Sequence, residues 1–199
     1  MITRKEMTRM LLKEGLLSCL ANNSFETVTV TSLCKASGIT RSTFYLHYSN
    51  IMEIVDDLVD DAIAYSKPGM VDNNNLQTIA NTLSAASNSV SLRGAYDSIF
   101  DRLPLCQRII RHKKYLPLFL DEQISEYVLQ RIIGREKDRQ GILMAESLGV
   151  SFDVGVSIFI FLVHGLYAVN KQYKWSQSDE WLEAQKIIFK LVYRGLQSR

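Results

Sequence analysis

The chain has 199 residues, 47% of them hydrophobic and 22% charged, with a formal net charge of +2. That balance excludes a disordered or fibrous chain and leaves room for one good core or two small ones. The three cysteines, Cys19, Cys34 and Cys106, stand at no metal-like spacing, so neither a disulfide framework nor a zinc site is expected, and a reducing cytoplasm suits them.

Charge is unevenly placed. Residues 1–50 carry six Lys/Arg against three Asp/Glu, and residues 51–100 carry two against seven. A basic end beside an acidic stretch permits a polyanion partner at the N-terminus. Only three prolines and ten glycines interrupt the chain, and apolar residues recur every three or four positions almost throughout, so the fold class is all-α. The opening MITRKEMTRM has no apolar core or small-residue cleavage site, which argues against export and for a cytoplasmic protein.

The first helix is expected over about residues 3–22, with Met7, Met10, Leu11, Leu17 and Leu20 near helical spacing and Arg4, Lys5, Arg9 and Lys13 elsewhere; Asn22-Asn23-Ser24 ends it. Thr29 is the expected N-cap of a short helix over 30–37, because Val28 before it and Leu33 after it are placed as a hydrophobic staple. Gly38 is placed to close that helix in the left-handed conformation. Thr40 repeats the device, with Ile39 and Phe44 as the staple, and opens a second short helix. These are the ingredients of a helix-turn-helix, although a generic αα-hairpin carries similar caps.

In the second short helix Phe44 and Tyr48 share the stapled face and are expected to pack inward. Arg41, Ser42, Thr43 and Tyr45 then point out, with His47 at the far end. A guanidinium, hydroxyls and a phenol on the leading face of such a helix are the groups that contact bases and phosphates in a major groove.

After Asn50 an amphipathic helix over 51–66 turns Ile51, Ile54, Val55, Leu58, Val59 and Ile63 inward. Its DDLVDD run, 56–61, is expected on a solvated face and not in a metal cluster, since no His or Cys accompanies it. SKPGMVDNNN, 66–75, is the best linker and divides the chain into domains 1–66 and 67–199. Further helices are expected near 76–90, 94–111, 116–136, 149–174 and 178–197. The last two are apolar beyond what one small domain covers, through Val154, Ile158, Phe161, Leu162 and Leu166, then Trp181, Ile187, Ile188, Leu191, Val192 and Leu196. The run 154–169 is shorter than the roughly 20 residues of a membrane span and holds His164 and two glycines, so it reads as a buried helix and no membrane is expected.

In the C-terminal half His112, Tyr115, Phe119, His164 and Tyr167 could line an effector pocket; a satisfied core histidine and ordinary core aromatics are the competing reading. His164 is the best single candidate, because a buried imidazole needs a hydrogen-bond partner that a ligand could supply. The chain has no Gly-rich phosphate loop, H-E-x-x-H, Cys-x-x-Cys or G-x-S-x-G, so no catalytic residue, metal or cofactor is expected.

The stretch TVTVTSLCKASGITRSTFYLHYSN resembles the DNA-binding domain of the TetR family of bacterial transcriptional regulators, whose pattern is roughly T-v-x-x-I-a-x-x-A-G-v-s-x-x-t-l-Y-x-H-F. Thr29, Leu33, Ala36, Gly38, Ile39, Thr43, Tyr45, His47 and Tyr48 occupy its marked places, and the match covers about the first 60 residues. The segment GVSIFIFLVHGLYAVNKQYKW more weakly resembles the regulatory half of a Gram-positive subgroup.

The resemblance implies an N-terminal three-helix helix-turn-helix domain and a C-terminal helical ligand-binding and dimerisation domain. It implies DNA contact by Thr29, Thr40, Arg41, Ser42, Thr43, Tyr45 and His47. A homodimer would form through the last two helices, about 149–174 and 178–197, on a near-palindromic double-stranded operator. The function implied is ligand-responsive repression, in which an unknown small-molecule effector changes the separation of two reading helices from about one DNA turn, roughly 34 Å. One departure stands out: where the family has a Lys opening the helix after His-aromatic, this chain has Ile51, which implies a missing phosphate contact and an affinity that is either lower or borne by Arg4, Lys5 and Lys35. Two other classes fit the sequence, a co-activator controlled by a partner protein and a helical dimer that has lost DNA binding.

Overall fold

The computed structural model describes residues 3–66, 75–103, 107–108 and 113–197. The linker residues 67–74, His112 and Cys106 lie outside the described residues. The α-helices are α1 (Arg4–Asn22), α2 (Val30–Ser37), α3 (Arg41–Tyr45), α4 (Ile51–Ser66), α5 (Asn75–Ser84), α6 (Ser89–Ser98), α7 (Leu116–Leu120), α8 (Ser125–Leu148), α9 (Phe152–Gln172) and α10 (Asp179–Gln197). Short 3-10 turns stand at Phe25–Thr27 and Phe100–Arg102, and no strand occurs among the described residues, so the all-α class holds.

The chain forms two compact units, one of Met1–Tyr65 with Ile109–Gly134 and one of Ser66–Arg108 with Arg135–Arg199. The first break falls beside the expected linker. The segment Ile109–Gly134, which the sequence reading assigns to a C-terminal domain over 67–199, is grouped instead with the N-terminal helices.

In the first unit a capping box starts α1: Glu6 N–H donates to the Thr3 hydroxyl at 3.2 Å, and Thr3 N–H donates to the Glu6 carboxylate at 2.7 Å. The buried side of α1 is Thr8, Leu12, Leu16 and Leu20, with Gly15 and Leu17 beside them, while Met7, Met10 and Leu11 are exposed. The expected stripe is therefore turned outward at its N-terminal end. Gly15 explains the choice of face, because a Cβ there would lie 2.8 Å from the Cβ of Ser37 at the end of α2. Only a residue with no side chain allows this approach, and it turns Leu12 and Leu16 inward with Leu33, Phe44, Ile54, Val55 and Leu58, all fully buried.

The aspartates of DDLVDD depart from the expected solvated face. Asp57 pairs with Arg9 and Asp61 with Lys13, both on α1. Asp56 accepts from the Tyr127 hydroxyl at 2.6 Å and pairs with Arg131 at 3.2 Å, both on α8. Lys114 pairs with Glu14 at 2.5 Å, and the Phe25 N–H donates to Asp121 at 2.7 Å. These contacts are why Ile109–Gly134 belongs to the first unit.

The second unit is built on Ile79, Leu83, Leu92, Tyr96, Ile99, Leu103, Leu166, Trp181, Leu182 and Phe189. The helix expected near 76–90 ends at Ser84, because Asn88 and Ser91 form a capping box that opens α6. That new start also places α6 at Ser89–Ser98 where a helix over 94–111 is expected; its last residues, 109–111, lie outside the described ones. The helix expected near 116–136 breaks at Asp121, whose carboxylate accepts from the Gln123 and Ile124 N–H groups at 2.9 and 3.2 Å. Beyond it α8 runs on to Leu148 through strong helix formers.

α9 is 21 residues long and apolar enough to cross a membrane by length and composition, and 33% of its most apolar window is buried inside the chain. It is not the fully buried helix the sequence suggests. Leu162, Val163, Leu166 and Tyr167 face the core, whereas Val154 and Phe161 are exposed.

Gly15→Val is expected to lower the unfolding free energy in urea by about 2 kcal/mol, since overpacking at a close helix contact costs about 1–3 kcal/mol. An unchanged midpoint would show that α1 and α2 do not meet at this point.

Candidate nucleic-acid interface

Thr29 caps α2 as expected: it accepts from Ser32 N–H at 3.1 Å, and Ser32 Oγ accepts from Thr29 N–H at 2.9 Å. Gly38 follows with φ of 66°, a left-handed conformation that glycine adopts without strain. Two residues later Thr40 caps α3, accepting from Thr43 N–H at 3.2 Å. The left-handed glycine and the Thr40 cap thus set the turn between the helices.

α3 has five residues, too few to persist alone. Phe44 is fully buried and Tyr48 is 3% exposed, so its inner face is anchored. The Tyr48 hydroxyl donates to Asp57 at 2.6 Å, and the Arg9 guanidinium lies 4.9 Å from the Tyr48 ring centroid. Burial, reinforced by the bond to Asp57 and its charge, pushes the Tyr48 phenol well above the usual tyrosine range, so it remains a neutral donor.

The outer face carries the predicted residues. Arg41, Ser42 and Tyr45 are exposed, and Thr43 is half-buried. The Tyr45 ring stands edge-on to Phe44 at 5.1 Å and 88°, which holds the phenol in a defined direction while 54% of the residue stays exposed. The Thr40 hydroxyl lies 3.0 Å from Ser42 Oγ and 2.8 Å from Thr43 Oγ1, so three of the predicted hydroxyls bond to one another. His47 is half-buried, and its Nδ1 is shielded with no hydrogen-bond partner among the described residues.

Of the N-terminal cations, Arg9 and Lys13 are spent on Asp57 and Asp61. Arg4, Lys5, Lys35 and Arg41 are exposed and enter no ion pair among the described residues. Ile51, at the start of α4, is half-buried; Glu53 N–H donates to Asn50 Oδ1 at 3.1 Å, so Asn50 caps that helix.

Sequence reasoning passed over Leu46, which is 80% exposed. Its signal is position, four residues after Ser42 and therefore on the same side of the helix.

The residues read as an effector pocket are not gathered in one unit. Tyr115 and Phe119 are buried in the first unit, where burial pushes the Tyr115 phenol up and Lys114 lies 5.6 Å from its ring. His164 is half-buried and Tyr167 buried in the second, with Tyr167 edge-on to Trp175 at 5.5 Å. His112 lies outside the described residues.

The buried polar groups of the second unit are the amides Gln107, Asn170 and Gln185, with the charged Arg108 and Glu136. Tyr96 donates to Gln107 Oε1 at 3.1 Å, Gln107 donates to Gln185 Oε1 at 3.2 Å, and Trp181 Nε1 donates to Asn170 Oδ1 at 2.9 Å. Gln185 Nε2 and Asn170 Nδ2 are buried with no partner among the described residues. Neutral amides at scattered positions carry no motif, although Gln185 stands four residues after Trp181 on an inward face.

Comparison with protein-family models, with curated proteins and with solved structures finds no match to this chain.

Tyr48→Phe removes a hydrogen bond to a carboxylate and is expected to cost about 1.5 kcal/mol of stability. A phenol whose folded pKa is raised stabilises the fold fully below its unfolded value near pH 10 and less as pH rises through the folded one. The variant should therefore show a smaller alkaline loss of stability in denaturation curves as pH rises above about 10. Equal curves would mean the phenol does not hold α4.

Proposed function

We propose that the chain is a DNA-binding transcriptional regulator of the TetR type, a repressor that binds a near-palindromic operator as a homodimer and has no enzymatic activity. The observation that carries this reading is the outer face of α3. A guanidinium, a seryl hydroxyl and a phenol project from a short helix that a glycine turn, a threonine cap and two buried aromatics hold in place. The exposed cations Arg4, Lys5, Lys35 and Arg41 supply charge for phosphates that Ile51 does not. Relief of repression by a small effector is the mode that the family resemblance implies.

A helix this short reads too few base pairs alone, so two copies are required. The surface that suits a second copy is on α9 and α10. Val154, Phe161, Gly165 and Ala168 are exposed along one side of α9, with Ile158 half-buried among them; Ile187, Leu191 and Gly195 are exposed on α10, beside half-buried Ala184. Phe161 is 70% and Leu191 65% exposed, a loss of apolar burial that pairing with their copies would recover.

Fluorescence anisotropy with the DNA flanking this protein's own gene, across a salt series, tests the reading. Four cations on each of two subunits predict a slope of log K against log salt of about −7. Tyr45→Phe should weaken binding about five- to tenfold with the slope unchanged, because a phenol is neutral, while Lys35→Ala should lower the slope by about 2 per dimer. Binding that ignores both sequence and Tyr45→Phe would sink the reading.

Phe161→Glu should turn the protein into a folded monomer in sedimentation and abolish two-fold operator binding. A wild type that sediments as a monomer would refute the dimer.

A further inference from the structure

Leu46 is the most exposed large apolar side chain among the described residues of the first unit. It follows α3 directly with right-handed helical backbone angles, φ −75° and ψ −17°. Its N–H donates to the Thr43 carbonyl at 3.2 Å, so its side chain continues the helical face. Four residues after Ser42, it lies on the side opposite buried Phe44 and Tyr48, flanked by exposed Tyr45. An isobutyl group is thus held in water at the end of α3, beside the exposed Ser42 and Tyr45.

Phosphate oxygens are met by hydrogen-bond donors, which the leucine side chain lacks. Among base edges, the major groove shows one apolar group, the 5-methyl of thymine. We propose that Leu46 is a specificity-determining residue that packs against the 5-methyl group of one thymine in each half-site, next to the base pairs that Arg41 and Ser42 face. The inference rests on the DNA-binding reading above and adds to it a base identity. It assigns the apolar part of recognition to Leu46 and leaves hydrogen bonding to its neighbours.

The test uses the full chain. A binding site is first selected from a random duplex pool, and each thymine of that site is then replaced by deoxyuridine, which lacks only the methyl. At one symmetric pair of positions the wild type should lose about fourfold per half-site and about 15-fold for both, the weight of one buried methyl each. Leu46→Ala should keep the wild-type melting temperature, since the side chain is not packed in the fold. It should bind the thymine site more weakly and be indifferent to deoxyuridine at that pair.

The inference is overturned if no thymine position is sensitive to loss of its methyl, or if Leu46→Ala keeps the full sensitivity. A pool that yields no selected site would instead remove the operator reading, and this inference with it. A selected site that ignores every methyl removes the inference alone.

Discussion

The carboxylate of Asp57 receives the Arg9 guanidinium and the Tyr48 phenol together, so one group on α4 ties down α1 and the residues that trail α3. Asp57 is half-buried, and a cation and a neutral donor meet at the same carboxylate oxygen. The dependence is mutual. α3 is a single turn and a half with little stability of its own, and it keeps its direction because Phe44 is buried beneath it and Tyr48 is anchored just beyond it. Without that anchor the exposed residues of α3 would have no fixed orientation towards anything.

The same contacts decide which charges are left for a partner. An acidic α4 beside a basic α1 looks, on a residue count, as though the first would cancel the field of the second. The geometry divides the cations instead. Arg9 and Lys13, one turn apart on α1, are consumed by Asp57 and Asp61, one turn apart on α4, while Arg4, Lys5, Lys35 and Arg41 stay exposed. Asp56 is taken up separately by Tyr127 and Arg131. The acidic run is therefore internal glue for this unit, and the exposed cations of the helix-turn-helix region, Arg4, Lys5, Lys35 and Arg41, lie at the start of α1, on α2 and on α3.

What was legible in the sequence is what bonds locally. Thr29, Gly38 and Thr40 could be read because a cap and a left-handed closing residue engage partners three or four positions away. The misreadings share the opposite property. Asp57 and Asp61 meet partners 48 residues away, and no local pattern distinguishes such aspartates from a solvated face. The outward turn of Met7, Met10 and Leu11 follows from the bare backbone of Gly15 against Ser37, a fact about helix approach that hydrophobic spacing does not encode. Helix boundaries at Asn88 and Asp121 were missed because capping side chains there interrupt stretches whose composition stays helical on both sides. The buried amides Gln107, Asn170 and Gln185 were missed because a polar residue inside a core has no signature until its partners are known.

The hydroxyl cluster at the start of α3 narrows what this surface can recognise. Thr40 Oγ1 accepts a backbone N–H and lies within bonding distance of Ser42 and Thr43, so its capacity is committed to the turn itself. In the proposed role, base contact then falls to Arg41, to whatever bonding Ser42 retains, and to apolar contact at Leu46, with Tyr45 held to one direction by Phe44 for a phosphate. So few contacts define only a few base pairs. Useful specificity then requires a second copy of the same face at a fixed distance, and that requirement falls on the second unit. Phe161 and Leu191 are left in water along two long helices where a monomer would gain stability by burying them. In the proposed role the short α3 and the uncovered apolar stripe answer one demand: a face too small to act alone needs a chain that leaves surface for its copy.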